Sequence, residues 1–218
     1  MARFKDLKME KDLKKHWNNA YQNASAIDRM SWYEENPAPS LQLIEKCELD
    51  KKAAILNVGA GATTLVDELL KLNYQKVIAN DLSSEALEKL KERLGNQGNE
   101  VQWIVDDLTN PKELQKLENI DLWHDRAVLH FFNEPKQQDS YFGLIHKLIK
   151  KNGFVIIATF NLCGAEKCSG LPVHRYNKEM LQSKLGEDFK LLEAFDYTFK
   201  MPSGDTRAYV YTLFKRIS

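Results

Sequence analysis

Between Ala53 and Asp81 the chain alternates strand, tight turn, helix and strand, and few folds accommodate that order. Ile55-Leu56-Asn57-Val58 is an apolar run of strand length that meets Gly59-Ala60-Gly61, two glycines one residue apart. Leu65, Leu69, Leu70 and Leu72 then recur at helical spacing among polar residues, and Lys76-Val77-Ile78-Ala79-Asn80 forms a second strand ending on Asp81. A βαβ unit with a Gly-rich first turn and an acid about 20 residues on is the arrangement that binds a nucleoside on an open parallel sheet. Glycines at the turn let the backbone approach a ligand where a Cβ would collide. Asp81, at the carboxyl end of the second strand, can accept hydrogen bonds from both hydroxyls of a ribose.

The third glycine position narrows the choice of nucleoside. A dinucleotide fingerprint places Gly or Ala there, because the pyrophosphate sits on the helix N-terminus and helix and strand pack closely. Here the position holds Thr64, preceded by Thr63, and no Gly-Lys-Ser/Thr follows to cradle a triphosphate. What remains is room for a ribose and a small zwitterion, the shape of S-adenosylmethionine: adenosine, no phosphate, and an amino-acid tail. With these residues in view the chain resembles the class I, seven-β-strand S-adenosylmethionine-dependent methyltransferases. Ile55 to Gly61 lies where that family has its first motif, and Asp81 where it has the ribose acid. Two positions depart from the pattern: Asn57 stands where an acid is usual, and Thr63 where a third glycine is common.

Size and charge bound the alternatives. The chain has 218 residues, 43% hydrophobic and 28% charged, enough for one soluble domain with a large core. Lys plus Arg equals Asp plus Glu at 31 each, so no net charge draws nucleic acid or anionic lipid, and neither is expected as a partner. No apolar run approaches the roughly 20 residues that span a bilayer. The first ten residues lack the apolar stretch of a signal peptide. Three cysteines do not make a disulfide framework, so the expected setting is the reducing cytoplasm.

Residues 1–15 are Lys-rich with Asp6, Glu10 and Asp12 interspersed, the texture of a solvated helix or frayed end. Trp17, Tyr21, Trp32 and Tyr33 then fall within 17 residues, ahead of the first strand. They either pack an N-terminal helix onto the sheet or form a lid over the ligand. Their spacing resembles the pre-motif of the branch that includes the elongation-factor and citrate-synthase lysine methyltransferases. That resemblance implies Tyr21 and Trp32 at the cofactor's methionine end and Tyr33 at the acceptor. We expect residues 1–40 to form a helical lid segment and 41–218 the catalytic domain, with Ser40 capping a helix from Leu41 to Cys47.

Ser83 or Ser84 caps a helix to Leu94, Gly95–Asn99 is loop, and Val101–Val105 is a third strand ending in Asp106-Asp107-Leu108. In the family pattern, Asp107 matches the acid that receives the adenine amine, and the Leu108 amide serves the ring. Gly59, Ala60, Gly61 and Leu82 complete the expected cofactor contacts. Ile120–Trp123 is a fourth strand, and the loop following it faces the place where ligands bind in open α/β sheets. It carries His124, Asp125 and Arg126 in succession. His124 is a candidate general base, because its ordinary pKa of about 6.5 suits proton removal near neutrality. Asp125 is a second candidate, or else pairs with Arg126, which is also placed near the cofactor. His130 reads as a packed residue.

A helix is predicted from Pro135 to Lys151, and a fifth strand over Phe154–Phe160, apolar on both faces. The irregular segment Asn161–Tyr176 borders the acceptor side. There Cys168 beside Lys167 is a candidate reactive thiol, and Arg175 with Tyr176 a candidate clamp for an acidic or polar acceptor. Cys163, Cys168 and His174 are too few for a zinc site, so no metal is expected. Asn177 caps a short helix, and Phe189–Met201 with Arg207–Arg216 form a terminal hairpin. The fold expected is α/β, a Rossmann-like doubly wound seven-stranded sheet of order 3-2-1-4-5-7-6 with strand 7 antiparallel. The function expected is transfer of a methyl group from S-adenosylmethionine to a small molecule or a protein side chain, a lysine being the specific alternative. Two other classes stay open: a nicotinamide-dependent oxidoreductase, and a cofactor-binding module without catalysis.

Overall fold

The βαβ unit forms as its residues predict. In the computed structural model, which describes residues 13–61 and 63–218, strand β1 (Ala54–Val58) runs parallel to β2 (Lys76–Asp81). Ahead of them come α1, helical over 13–22, and α2 (Ala38–Glu45). Helix α3 (Leu65–Lys71) crosses between the two strands, with Leu65, Val66, Leu69 and Leu70 buried. Helix α4 (Ser84–Leu94) leads to β3 (Val101–Val105), and β4 (Ile120–Arg126) follows. Helix α5 (Pro135–Leu148), β5 (Ile149–Phe160), a small hairpin of β6 (Lys167–Cys168) and β7 (Leu171–Pro172), α6 (Lys178–Leu185), β8 (Phe189–Lys200) and β9 (Thr206–Arg216) complete the chain.

The large sheet has the order β3-β2-β1-β4-β5-β9-β8, with β9 antiparallel to both β5 and β8. Once β6 and β7 are set apart in their own two-stranded sheet, this is the predicted 3-2-1-4-5-7-6 order. One core lies on the face covered by α2, α3 and α4, around Leu43, Ile44, Val66, Leu69 and Leu90. A second fills the face covered by α5 and α6, around Trp123, Tyr141, Ile145 and Leu181. Each fully buried Leu or Ile contributes about 1.5–3 kcal/mol relative to exposure, so these two layers hold the strands in register. Among the described residues no helix is long and apolar enough to cross a membrane.

Four boundaries differ from the sequence reading. Helix α2 begins at Ala38, because Pro39 suits a first turn that needs no amide there. Ser40 is therefore inside the helix, fully buried, and caps nothing. Strand β4 continues through His124, Asp125 and Arg126, because β1 and β5 pair with it on both sides: His124 lies opposite Asn57 and Ile156, and Arg126 opposite Ala158. Helix α5 ends at Leu148, and β5 starts at once, with Asn152 in the left-handed region (φ 65°) turning the chain before Gly153. Gly95–Glu100 is a short 3-10 helix where loop was expected.

Two caps match their predictions. The Ser83 hydroxyl accepts from the Ala86 amide (3.2 Å), and the Asn177 side chain accepts from Met180 (2.9 Å). Ser83 Oγ also donates to Asn18 Oδ1 (2.7 Å), tying α1 to the end of β2. Tyr21 and Met30 pack with Ala86 of α4, and Ile27, Trp32 and Tyr33 lean on them. The predicted aromatic segment thus sits across the carboxyl ends of the strands. The acids foreseen at positions 6, 10 and 12 lie outside the described residues.

Candidate active site

A cavity opens beyond the carboxyl ends of β1 to β4, roofed by α1 and residues 27–34. Its floor is the Gly59–Gly61 turn. Both glycines have positive φ (58° and 51°), which L-residues with side chains rarely adopt. Space is equally restrictive: a Cβ on Gly59 would lie 2.0 Å from Val128 Cγ2, and one on Gly61 would lie 2.3 Å from the Tyr21 hydroxyl. The Ala60 amide donates to Asn80 O (2.8 Å), which fixes the turn against β2.

Asp81 ends β2 on the cavity wall. Its Oδ2 accepts from the Gly61 amide and its Oδ1 from Ser83, both at 2.8 Å. Burial pushes its carboxyl up to about 6, against the pull of the Ser83, Gly61 and Leu82 amides. Each carboxylate oxygen has two lone pairs, so both keep acceptor capacity toward the cavity. The adjacent acids after β3 divide the work. Asp106 Oδ2 takes the amides of Lys112, Glu113 and Leu114 (2.8, 2.8 and 2.9 Å) and holds the loop. Asp107 uses Oδ1 for the amide and hydroxyl of Thr109, and its Oδ2 has no hydrogen bond among the described residues. Leu82 and Leu108 line the same wall.

The three polar residues of β4 separate by face, as neighbours in a strand must. Asp125 points away from the cavity. It accepts from the amides of Val128 (2.9 Å) and Leu129 (3.1 Å) and from the Tyr141 hydroxyl (2.7 Å). It braces the turn at Ala127 (φ 70°), which presents Val128 to Gly59, and in this position it cannot reach a ligand in the cavity. The expectation of a catalytic Asp125 is corrected on that ground. His124 borders the cavity but both ring nitrogens are taken: Nδ1 lies 2.9 Å from Asn57 Oδ1 and Nε2 2.9 Å from Ser40 Oγ. Burial, with the Arg126 charge, lowers its pKa to about 3. A neutral imidazole so bonded is a poor proton acceptor, so the general-base expectation for His124 gives way to a structural one. Asn57 thereby uses its Oδ1 on the His124 ring.

Arg126 faces the cavity. Its Nε donates to the Tyr211 hydroxyl (3.2 Å) and its Nη1 to Trp32 O (3.1 Å), and its plane lies 4.6 Å from the Phe199 ring centre. Burial opposes its charge, but Tyr209, Tyr211 and Glu34 outweigh that, and the guanidinium stays ionised. Its charge partner is Glu34, 3.1 Å away and buried. The sequence reading missed Glu34: an acid after Ser-Trp-Tyr looks solvated, and only the distant Arg126 reveals otherwise. Met30, Asn57 and Phe131, also on the lining, were not among the residues expected there.

The remaining predicted residues divide. Tyr21, Trp32, Tyr33 and Cys168 line the cavity with Ala60 and the glycines. Trp32 Nε1 donates to the Tyr21 hydroxyl (3.1 Å). Burial raises the Cys168 thiol to about 11, against Arg207 and Arg126, so it is not the activated thiolate expected from Lys167. Arg175 lies elsewhere, bonded to Gly164 O (3.2 Å) and paired with Glu166. Tyr176 is buried against β5, its amide donating to Phe160 O (2.9 Å). Neither lines the cavity, and the clamp proposed for them is withdrawn. Among the described residues no three His, Cys, Asp or Glu side chains gather to hold a metal.

Comparison with known proteins bears on the family and the fold. A family model described as "Methyltransferase domain" matches residues 49–213. A search of curated protein sequences returned no match. Among solved structures, a SAM-dependent methyltransferase from Anabaena variabilis is 14% identical, with 95% of each chain covered and a TM-score of 0.73. The 1,6-didemethyltoxoflavin-N1-methyltransferase of Burkholderia thailandensis, with its substrate and S-adenosylhomocysteine bound, is 16% identical. It covers 99% of this chain and 90% of its own, at a TM-score of 0.67. The N-methyltransferase NodS of Bradyrhizobium japonicum, in complex with S-adenosylhomocysteine, is 14% identical, covers 93% of this chain and 100% of its own, and scores 0.66.

Proposed function

This chain belongs to the methyltransferase domain family and is an S-adenosylmethionine-dependent methyltransferase, and from that premise we propose how its residues hold the cofactor and the methyl acceptor. The residues fit the cofactor on three counts. The Gly59–Gly61 floor lies where side chains would fill the cavity. Asp81 keeps lone pairs for two ribose hydroxyls. Asn57 borders the cavity with its Nδ2 unpartnered, a donor left for the carboxylate of an amino-acid tail. Asp107 Oδ2 and the Leu108 amide are assigned to adenine, with Leu82 against the nucleoside and Arg126 at the methionine end.

The cofactor supplies an already activated methyl group on a sulfonium. The protein therefore contributes alignment and exclusion of water, which is worth several orders of magnitude without any obligatory acid or base. Trp17, Tyr21, Trp32 and Tyr33 form the water-excluding roof, and Cys168 closes the acceptor side. We assign the chain to the branch with an aromatic N-terminal pre-motif, residues 1–40 being the lid segment, 41–218 the catalytic domain and the cytoplasm its setting. A small-molecule acceptor is favoured because α1 and residues 27–34 roof the cavity.

The observation that carries this reading is Asp81, pinned by the Gly61 and Ser83 amides on the wall of the glycine-floored cavity. Calorimetry with S-adenosylhomocysteine, S-adenosylmethionine and NAD tests it: the first two bind and NAD does not. Binding of NAD alone would overturn it. A tritiated methyl donor added to cell extract then reports whether label enters small solutes, as proposed, or protein.

A further inference from the structure

Glu34 is a buried carboxylate with unused acceptor capacity. It is 6% exposed, it sits on the cavity wall, and neither of its oxygens has a hydrogen bond among the described residues. Arg126 lies 3.1 Å away, but its Nε proton is directed at Tyr211, and its Nη2 has no partner either. The pair therefore balances in charge while leaving hydrogen bonds unmade on both sides. A buried acceptor in that condition is costly, more so when charged, and among the described residues only the Arg126 ion pair offsets that cost. A ligand bearing N–H donors would remove the cost.

Position and surroundings say which ligand. Glu34 meets the tip of β4 through Arg126, whose guanidinium lies against Phe199, Tyr209 and Tyr211 on the β5–β9–β8 side of the cavity. Asp81 and Asp107 occupy the opposite side, at β2 and β3. The roof between them is aromatic: Trp17 meets Trp32 edge to face at 5.6 Å and Phe131 at 5.0 Å. A carboxylate on the wall of a cavity that Trp17, Trp32 and Phe131 also line suits a cationic amine, which a negative charge and ring quadrupoles both attract.

We propose that Glu34 binds the methyl acceptor and that the acceptor is an amine, held as its ammonium by the Glu34 carboxylate under the Trp17, Trp32 and Phe131 rings. This rests on the assignment of adenosine to Asp81 and Asp107. In the bound pair an ammonium N–H proton passes to a Glu34 oxygen, the N–H bonding electrons stay on nitrogen as its lone pair, and a neutral amine faces a neutral carboxylic acid. Both Glu34 oxygens are shielded from solvent, so contact with the amine requires residues 27–34 to move.

The test is binding, read on protein already saturated with S-adenosylhomocysteine. Calorimetric titration with n-butylamine, n-butanol and butyrate should show the amine binding at least tenfold tighter than either of the others. In Glu34→Gln that preference should vanish, while S-adenosylhomocysteine affinity stays within about twofold. Glu34→Asp, which keeps the charge and shortens the reach, should retain part of the preference and guards against a folding defect in the first variant. An amine bound no better than the alcohol overturns the proposal, as does a preference unchanged in Glu34→Gln. A tenfold loss of S-adenosylhomocysteine affinity in Glu34→Gln also overturns it, because Glu34 would then serve the cofactor's own ammonium. Wild-type protein that fails to bind S-adenosylhomocysteine at the outset refutes the cofactor assignment instead.

Discussion

Asp81 illustrates how one buried group can be costly alone and useful with a ligand. Burial raises its carboxyl from 3.8 to about 6, so near neutrality the cavity holds a carboxylate that would bind a proton more readily than usual. Two ribose hydroxyls donating to it favour the ionised form and draw its pKa back down. Linkage then fixes the sign: cofactor binding releases a proton below pH 6, so affinity rises with pH through that range and levels off above it. S-adenosylhomocysteine affinity measured from pH 5 to 7.5 should climb by up to about tenfold per pH unit below the midpoint. In Asp81→Asn it should be weaker by roughly 1.5–3 kcal/mol at pH 7.5 and show no such step. A wild-type profile without the step, or a variant within twofold of wild type at pH 7.5, would put the ribose elsewhere. His124 behaves in the opposite manner: its nitrogens are spent on Asn57 and Ser40, and it links β1, β4 and α2 rather than moving protons.

Helix α1 is tied to the sheet by Ser83 and Asn18, and its His16 ring meets Ser169 Oγ at the tip of the β6–β7 hairpin (3.3 Å). Ser169 and Gly170 at that tip both have positive φ, so the hairpin turns sharply to reach α1. The 23–34 connection has one short 3-10 turn and no strand pairing, which leaves it among the less stable parts of the structure. A ligand lying between roof and floor adds contacts to both and should slow local opening. Trypsin should cut at Arg29 in the free protein and at least threefold more slowly with saturating S-adenosylhomocysteine. Equal rates would show that the roof takes no part in binding. The sequence announced this segment through its four aromatics but not its fit, because contacts such as Thr64 Oγ1 to Glu34 O (2.8 Å) join residues from different elements. Local signals were enough for β1, β2 and Asp81, whose turn, spacing and partners lie within one βαβ unit. They failed for β4, where His124-Asp125-Arg126 resembled a loop. Those polar side chains are admitted to a central strand only because Ser40, Tyr141 and Glu34 arrive from far along the chain.

Across the whole molecule, two buried histidines and two buried aspartates set opposing demands on pH. His124 and His130 have their pKa lowered from 6.5 to about 3, chiefly by burial, with the Arg126 charge adding to it. The unfolded chain therefore takes up their protons first, and the stability they contribute is present above pH 6.5 and lost as pH falls toward 3. Asp81 and Asp125, raised from 3.8 to about 6 by burial, do the reverse: the native state holds their protons more firmly, and stability is lost as pH rises from 4 through 6. Between about pH 6 and 4 the two pairs offset each other. His130 offers the cleanest way to unbalance them. Its ring is fully buried, both nitrogens lack hydrogen bonds among the described residues, and it packs against Phe131 and Phe160 at 4.5 and 4.4 Å, so it occupies an apolar site with a polar ring. His130→Phe removes two unpaired atoms and should stabilise the protein by about 1–2 kcal/mol at pH 7.5. As pH falls below 6.5 the advantage should widen by up to about 1.4 kcal/mol per unit, since the variant no longer has a histidine whose unfolded form takes up a proton. Urea midpoints of both proteins at pH 7.5 and 5 measure this. A difference that does not change with pH would mean that His130 is protonated in the native state, and its burial among aromatic rings would then need a compensating charge that Arg126 cannot supply.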